Sequence, residues 1–144
     1  MAQNLDDSKL FTPYQMGPVT LRNRTIRSAA FESMGKDFGP TQALKDYHVS
    51  VAKGGVGMTT LAYASINRSG VSFNSQLWLR DEIVPQLRDI TDAVHAEGAA
   101  VGIQLGHCGN MTHWSTAGSF PVSASNGFNL YSPTFHRRMT HGEI

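Results

Sequence analysis

One apolar stretch, residues 99–107, constrains the fold of this chain more than any other segment. Its sequence is AAVGIQLGH, a nearly continuous apolar run typical of a strand that is buried on both faces of a parallel sheet. Gln104 interrupts the run near its carboxyl end, where parallel α/β folds bind their ligands. A buried amide there suits a ligand edge that mixes C=O and N–H groups. From spacing alone, a core Gln bonded to neighbouring backbone is an equal alternative.

Two helices are predicted upstream of this strand, because apolar residues recur there at helical spacing. The first begins near Thr41 and ends at Gly54-Gly55. In the second, Asp81 is a good N-cap and Gly98 is placed for the C-cap. The apolar faces contain Leu44, Tyr47, His48 and Val51 in the first helix, and Ile83, Leu87, Ile90 and Val94 in the second.

Strands alternate with these helices. Residues 25–30 (TIRSAA) and 56–62 (VGMTTLA) are predicted strands, and residues 99–105 are the third. Such an alternation requires parallel strands joined by right-handed crossovers, so the fold class is α/β. Longer loops follow the strands and tight glycine turns precede them, which predicts part of a (β/α) barrel with its functional end at the strand carboxyl ends. Residues 10–24, with Gly17-Pro18 between short extended runs, predict a small hairpin or lid.

The segment that follows the third strand has a different character. Residues 106–139 are predicted to be a long loop at the top of the barrel, because residues 108–139 contain no convincing helix or strand, only Gly, Ser, Asn and Pro interleaved with aromatic residues. A loop this long is usually functional or disordered, and its aromatic residues favour an ordered loop packed over something. Thr140 and Glu143 then have the spacing of a capping box, which opens a helix. We therefore expect a fragment, one half of a split enzyme, or a chain that a partner completes.

The composition argues against several classes of partner. The 144 residues carry a net charge of +1, which gives no electrostatic case for binding nucleic acid or a membrane surface. No apolar run is long enough to span a bilayer, and the N-terminus lacks the apolar core of a signal peptide. Cys108 is the only cysteine, so no internal disulfide forms and we expect a reducing, cytoplasmic location.

Polar residues near the strand ends have ordinary interpretations. His107, Cys108 and His113 fit no standard zinc spacing, so no metal site is predicted. Glu32 and Asp37 follow the first strand, where they either touch substrate or are solvated loop carboxylates, the commoner case. None of these residues is assigned as a catalytic acid.

Four segments carry a resemblance to a known family. They are LFTPYQMGPVTLRNRTIRSAAFE, GGVGMTTLAYASI, HAEGAAVGIQLGHCGN and YSPTFHRRMTHGEI. In this order and at this spacing they resemble the Old Yellow Enzyme family of FMN-dependent ene-reductases, also called NADH:flavin oxidoreductases. The resemblance covers essentially the whole chain, as the N-terminal third of a (β/α)8 TIM barrel with about three of its eight strands.

The resemblance implies that six residues contact FMN. They are Ala29, Ala30, Phe31, Ala62, Tyr63 and Gln104. The three residues after strand one would contact the flavin through their backbone, and one of the two at the end of strand two would pack near the isoalloxazine ring. Gln104 would hydrogen-bond the polar pyrimidine edge, and His107 of the same motif is expected to be structural support.

Two departures from the family pattern leave the subgroup and the substrate open. Many members carry Pro and then Thr or Cys after strand one, where this chain has residues 29–32 (AAFE). Many also carry Arg where this chain has Asn110. The family's substrate-binding pair and phosphate-binding residues belong to later parts of the barrel than those matched here.

The implied activity is that of the completed barrel. NADH or NADPH would supply a hydride to FMN, and an activated C=C bond of a small enone-type substrate would receive it. Because three strands cannot close an eight-stranded barrel, another polypeptide or another copy of the chain is expected to complete it. The alternative is a non-catalytic partial barrel that acts as a self-associating or partner-completed scaffold, and a barrel enzyme without flavin is a weaker third option.

Overall fold

The computed structural model describes residues 8–144, where a 3₁₀ turn (Lys9–Phe11) is followed by a β-hairpin. The hairpin pairs β1 (Tyr14–Met16) with β2 (Val19–Leu21) in antiparallel fashion. Gly17 lies in its turn with φ +57°, a backbone conformation that glycine adopts without a steric penalty. Leu21, at the end of the hairpin, is fully buried and anchors it to the rest of the fold.

A four-stranded parallel sheet forms the centre of the molecule. Its strands are β3 (Ile26–Arg27), β4 (Met58–Ser65), β5 (Leu77–Trp78) and β6 (Ala100–Gly106). β6 pairs with one edge of β4 along its length, and β3 and β5 pair with the other edge near its two ends. The carboxyl ends of β4 and β6 therefore lie side by side, and the chain after β3 continues toward them, so that Phe31 and Glu32 contact residues 62–63. The parallel sheet confirms the predicted α/β class.

Two helices, α1 (Gln42–Lys53) and α2 (Val84–Ala96), pack against this sheet and against each other. Thr41 caps α1, as predicted, because its Oγ1 accepts the N–H of Leu44 at 3.3 Å. The prediction of Asp81 as the N-cap of α2 is wrong, since Asp81 is the first residue of a 3₁₀ turn that precedes the helix. The buried apolar residues of this core are Leu44, Ala52, Leu61, Ala64, Leu77, Ile90, Val94 and Ala99.

Two of the strand predictions need correction. The predicted strand at residues 25–30 contains only the two residues of β3, because its pairing with β4 ends at Arg27. The strand at residues 99–105 is not buried on both faces, since Gln104 and Leu105 at its carboxyl end are exposed. Within residues 8–144, β6 pairs with β4 alone, so its second edge has no covering strand.

The segment predicted as a structureless loop contains a small sheet. A short helix, α3 (Trp114–Ala117), is followed by β7 (Val122–Ser123), β8 (Gly127–Asn129) and β9 (Thr134–Arg138). The strand order is β7–β9–β8, with β9 parallel to β7 and antiparallel to β8. The prediction that residues 108–139 hold no helix or strand is therefore wrong. These elements have two to five residues, too few to show a periodicity in the sequence.

A 3₁₀ turn, His141–Glu143, follows the small sheet, and the predicted capping box is present there. The backbone N–H of Thr140 donates to Glu143 Oε2 at 2.8 Å. Glu143 also forms a 2.5 Å ion pair with Arg137, and together these contacts lower the pKa of Glu143 to about 2. Among the helices of residues 8–144, none is long and apolar enough to cross a membrane.

Candidate functional site

The parallel sheet brings the sequence-predicted contact residues to one edge. Ala29, Ala30 and Phe31 lie directly after β3, Ala62 and Tyr63 lie in β4, and Gln104 lies in β6. The ladder between β4 and β6 is interrupted at residues 62–63, and Gln104 is the β6 residue opposite that interruption. Gln104 and Ala62–Tyr63 are therefore neighbours across the sheet.

Gln104 lies on the face of β6 that is turned away from the helices. Val101 and Ile103 pack against the helical core, and successive side chains in a strand point to opposite faces. A Cβ on Gly106 would lie 3.7 Å from the ring of Tyr63, so Gly106 and Tyr63 share that second face. Gln104 is exposed, and the prediction of a buried amide is wrong for the described chain. Its donors and acceptor are accessible to a ligand at this face.

Three aromatic rings lie side by side at the ends of β3 and β4. The ring of Phe31 lies 5.4 Å from that of Tyr63 and stacks on Phe73 at 5.1 Å, measured between ring centroids. Such pairs stabilise one another and present flat apolar surface. Phe31 and Phe73 are both exposed. The sequence predicts Phe31 and Tyr63 at this site but gives no sign of Phe73, which lies in the loop after β4.

The phenol of Tyr63 leads into a buried polar cluster. Its Oη lies 3.5 Å from Cys108 Sγ, which in turn lies 3.8 Å from Gln76 Oε1. Gln76 is fully buried, and its Oε1 accepts the N–H of Ser72 at 2.8 Å. Burial, reinforced by the Cys108 contact, raises the pKa of Tyr63 to about 12, so the phenol is protonated at neutral pH. Neither Gln76 nor Ser72 is marked by any motif in the sequence.

His107 supports the loops beyond β4 and β6. Its Nδ1 accepts the N–H of Gly109 at 3.0 Å, and its Nε2 lies 3.2 Å from Ser69 Oγ. Its ring packs so closely on Gly70 that a Cβ there would lie 2.5 Å from the imidazole. Burial lowers the pKa of His107, which favours the neutral imidazole. These contacts favour the interpretation of His107 as structural support. Across residues 8–144, no group of three His, Cys, Asp or Glu side chains could hold a metal ion.

Glu32 forms a buried ion pair, whereas the sequence favours a solvated loop carboxylate at this position. Its side chain is only 2% exposed, so it is not a solvated loop carboxylate. One oxygen lies 2.5 Å from Arg27 Nη1, and the other accepts the backbone N–H of Ala62 at 3.1 Å. His48 Nε2 lies 3.3 Å from the carboxylate and has no hydrogen-bond partner besides it among the described residues.

These donors keep the carboxylate of Glu32 ionised. Burial raises the pKa of Glu32, but His48, the N–H of Ala62 and the charge of Arg27 together outweigh it. The net result is a pKa below the ordinary value, so Glu32 is ionised at neutral pH. Asp37, the other carboxylate considered from the sequence, is exposed.

A cavity of about 670 Å³ lies between the loop after β4 and the small sheet. Its lining includes Ile66, Ser69, His107, Phe120 and Met139. It contains none of the six sequence-predicted contact residues, so it is a separate feature from the site at the strand ends.

The family of the chain follows from a match along nearly its whole length. Residues 9–144 match the sequence model of the NADH:flavin oxidoreductase / NADH oxidase family. The chain belongs to this family. The resemblance to the Old Yellow Enzymes is thereby confirmed, and the matched region corresponds to the N-terminal part of the family's proteins.

Curated relatives share a substantial part of the sequence. A probable N-methylproline demethylase of Rhizobium meliloti is 40% identical over 139 residues, which are 95% of this chain and 19% of that protein. A 4,4'-dithiodibutanoate disulfide reductase of Rhodococcus erythropolis is 41% identical over 100 residues, 69% of this chain and 25% of that protein. An NADPH dehydrogenase of Listeria welshimeri is 38% identical over 106 residues, 71% of this chain and 31% of that protein. The chain thus spans less than a third of these relatives.

Solved structures show the same fold. The Old Yellow Enzyme homologue from Zymomonas mobilis matches with a TM-score of 0.84 at 23% identity, over 94% of this chain and 41% of that one. Old Yellow Enzyme from Pichia sp. AKU4542 matches with a TM-score of 0.87 at 18% identity, over 97% of this chain and 40% of that one. The chain is therefore a portion of a (β/α)8 barrel, as the sequence predicts.

The residues near the strand ends have the hydrogen-bonding groups and the apolar surface that FMN, the cofactor implied by the resemblance, requires. The exposed amide of Gln104 can match a ring edge that both donates and accepts hydrogen bonds. The aromatic rings of Phe31 and Tyr63 offer apolar surface to a flat heterocycle beside that amide. The backbone of Ala62–Tyr63 lies between the two.

Proposed function

We propose that the protein carrying this chain binds FMN at the carboxyl ends of β4 and β6, beside the segment that follows β3. It would use NADH or NADPH to reduce the activated C=C bond of a small enone-type substrate. The observation that supports this proposal is the exposed amide of Gln104 beside Ala62–Tyr63, in a chain of the NADH:flavin oxidoreductase family. The NADPH dehydrogenases among its relatives support a nicotinamide as hydride donor.

Each group of residues has a distinct task in this proposal. Gln104 fixes the orientation of the flavin through hydrogen bonds to its pyrimidine edge. Phe31 and Tyr63 exclude water from the ring, and the backbone of residues 29–31 and 62–63 sets its height above the sheet. FMN, when bound, supplies the hydride chemistry, so the protein contributes binding, orientation and electrostatics.

The second edge of β6 supports a further part of the proposal. Within residues 8–144 that edge is unpaired, and Leu105 beside it is 57% exposed. Unpaired edges and exposed apolar side chains favour pairing with more polypeptide. We therefore propose that further strands, on the same polypeptide or on another chain, complete the barrel around the flavin. A scaffold without flavin is the competing function, and the same unpaired edge supports it.

The visible spectrum and the mass of the purified protein separate these two functions. The protein is purified under native conditions from its source cells, and its polypeptides are weighed by mass spectrometry. A yellow protein with one releasable FMN per barrel supports the oxidoreductase. A colourless oligomer that consists only of the 144-residue chain contradicts it and supports the scaffold.

The role of Gln104 is tested by replacing its amide. We expect Gln104→Leu to weaken FMN binding by about tenfold to a hundredfold, because the flavin edge loses its hydrogen-bond partner. FMN fluorescence on titration into the apoprotein measures the dissociation constant. Gln86→Leu makes the same chemical change on the exposed surface of α2 and should leave binding unchanged. Equal affinity in the two variants would remove Gln104 from the site.

A further inference from the structure

We propose that Glu32 is a positioning residue, which holds the Ala62–Tyr63 backbone against the segment after β3 and so sets the spacing of the two surfaces that face the cofactor. The cofactor part of this proposal rests on the proposed function. The part that concerns the backbone stands on the geometry of the described residues alone.

The link to β4 is direct. Glu32 Oε2 accepts the backbone N–H of Ala62 at 3.1 Å. This N–H points to the edge of β4 that β3 pairs with, and that pairing ends at Thr59, so strand pairing does not fix it. The carboxylate of Glu32 takes over that task, and it determines where Ala62 and Tyr63 stand relative to Gln104.

The link to the segment after β3 runs through Arg27. Its guanidinium donates to Glu32 Oε1 at 2.5 Å and, through the same nitrogen, to Thr60 O at 2.6 Å. Its other terminal nitrogen donates to Ala30 O at 3.0 Å. One ion pair therefore connects Ala30, Thr60 and Ala62, which lie on both of the backbone segments predicted to contact FMN.

Burial makes this connection strong. The side chains of Glu32 and Arg27 are 2% and 17% exposed, so solvent screens their interaction weakly. His48, which is fully buried on α1, completes the surroundings, and its Nδ1 lies 2.8 Å from Thr59 Oγ1. Removing one partner of such a buried pair leaves the other without compensation, which is costly.

The substitution Glu32→Gln isolates the positioning role. Both oxygens of Glu32 accept hydrogen bonds, one from Arg27 and the other from Ala62, whereas a Gln amide has a single acceptor oxygen. The single oxygen should face the charged guanidinium of Arg27, which is the stronger donor, so the NH2 group faces the N–H of Ala62 and that link is lost. The side chain keeps its size, and the packing around it changes little.

Hydrogen–deuterium exchange read by mass spectrometry tests the backbone link on the protein as purified. We expect Glu32→Gln to speed exchange by about tenfold in peptides that contain residues 62–63, and to leave the peptides of α2 unchanged. Glu82→Gln makes the same change on an exposed carboxylate of the 3₁₀ turn before α2 and should alter neither. Unchanged exchange at residues 62–63 would overturn the proposal.

FMN affinity separates positioning from stability. His48→Gln loosens the same buried cluster but leaves the bond between Glu32 and Ala62 in place. We expect Glu32→Gln to weaken FMN binding about tenfold, and His48→Gln to weaken it by less than about threefold at a comparable loss of urea resistance. If the two variants lose affinity in proportion to stability, Glu32 is structural only and the positioning role is wrong.

Absence of FMN from the wild-type protein defeats the proposed function, and hydrogen exchange alone then decides whether Glu32 fixes residues 62–63. If circular dichroism shows that Glu32→Gln does not fold, Glu32→Asp takes its place, because it keeps the charge but is too short for both links. The same local rise in exchange is then expected, and no rise overturns the proposal.

Discussion

The parallel sheet and the small sheet of β7, β8 and β9 are held together by different forces. In the parallel sheet, apolar side chains such as Leu61 and Ile90 are almost fully buried between strands and helices. In the small sheet, the aromatic side chains Phe128 and Phe135 contact each other but remain 47% and 66% exposed. Apolar burial stabilises the first region, so the second depends more heavily on polar contacts.

The segment that leads into the small sheet is held mostly by hydrogen bonds from side chains to backbone. The hydroxyl of buried Thr112 donates to Val71 O, and Ser72 Oγ donates to Met111 O at 2.6 Å. The guanidinium of Arg68 donates to Thr116 O and lies over the ring of Phe38, 4.1 Å from its centroid. The start of the 108–139 segment is thus attached to the loop after β4 by a few specific bonds. Single substitutions should affect the two regions differently.

The largest effect is expected in the helical core. Ile90 is 1% exposed, and Ile90→Ala should lower the free energy of unfolding by about 2–5 kcal/mol, because it leaves a cavity between α2 and the sheet. Urea denaturation followed by circular dichroism measures the loss. Val84→Ala on the same helix is the control, since Val84 is exposed and should lose less than about 0.5 kcal/mol. Similar losses in both variants would show that α2 does not form the core.

A smaller and local effect is expected where the two regions meet. Thr112→Val keeps the side chain's shape but leaves the carbonyl of fully buried Val71 without its donor, at a cost of about 1–3 kcal/mol. The segment that follows should open more often, so limited proteolysis should cut residues 112–139 faster while the peptides of α1 and α2 stay protected. Thr20→Val on the exposed hairpin is the control. If cleavage spreads equally into the helices, the two regions unfold as one unit.

The same difference decides how much of the fold can be predicted from the sequence. The core elements α1 and β6 are predictable within a residue or two, because apolar periodicity, the Thr41 cap and Gly98 report them directly. β7, β8 and β9 are not predictable, because their stability comes from bonds between residues distant in sequence, such as Asn129 Nδ2 to Asn110 O. β5 is missed for the same reason, since its two residues only extend the pairing of β4.

The candidate site divides in a similar way. Gln104 can be predicted to lie at the sheet's carboxyl edge, because the apolar run that contains it sets both its strand and its register. The exposure of Gln104 cannot be predicted, because it depends on which strands cover the second edge of β6. Glu32 is the clearest failure: the sequence favours a solvated loop carboxylate, whereas Arg27, His48 and the N–H of Ala62 surround it in a buried loop position. The only local sign of this ion pair in the sequence is Arg27, five residues before Glu32 in the preceding strand, and it is a weak one.

The smallest effect is expected on the surface of the small sheet. Phe135→Ala removes a ring whose centroid lies 4.9 Å from that of Phe128, but both rings are largely exposed. The loss of unfolding free energy should stay below about 0.5 kcal/mol, as for other surface substitutions. Tyr131→Ala, at a position 91% exposed, is the matched control and should change urea resistance as little. A loss above about 1.5 kcal/mol in Phe135→Ala alone would contradict the contrast between the regions. Such a loss is typical of a ring buried against other polypeptide, so the pair would then be part of an interface instead of an open surface.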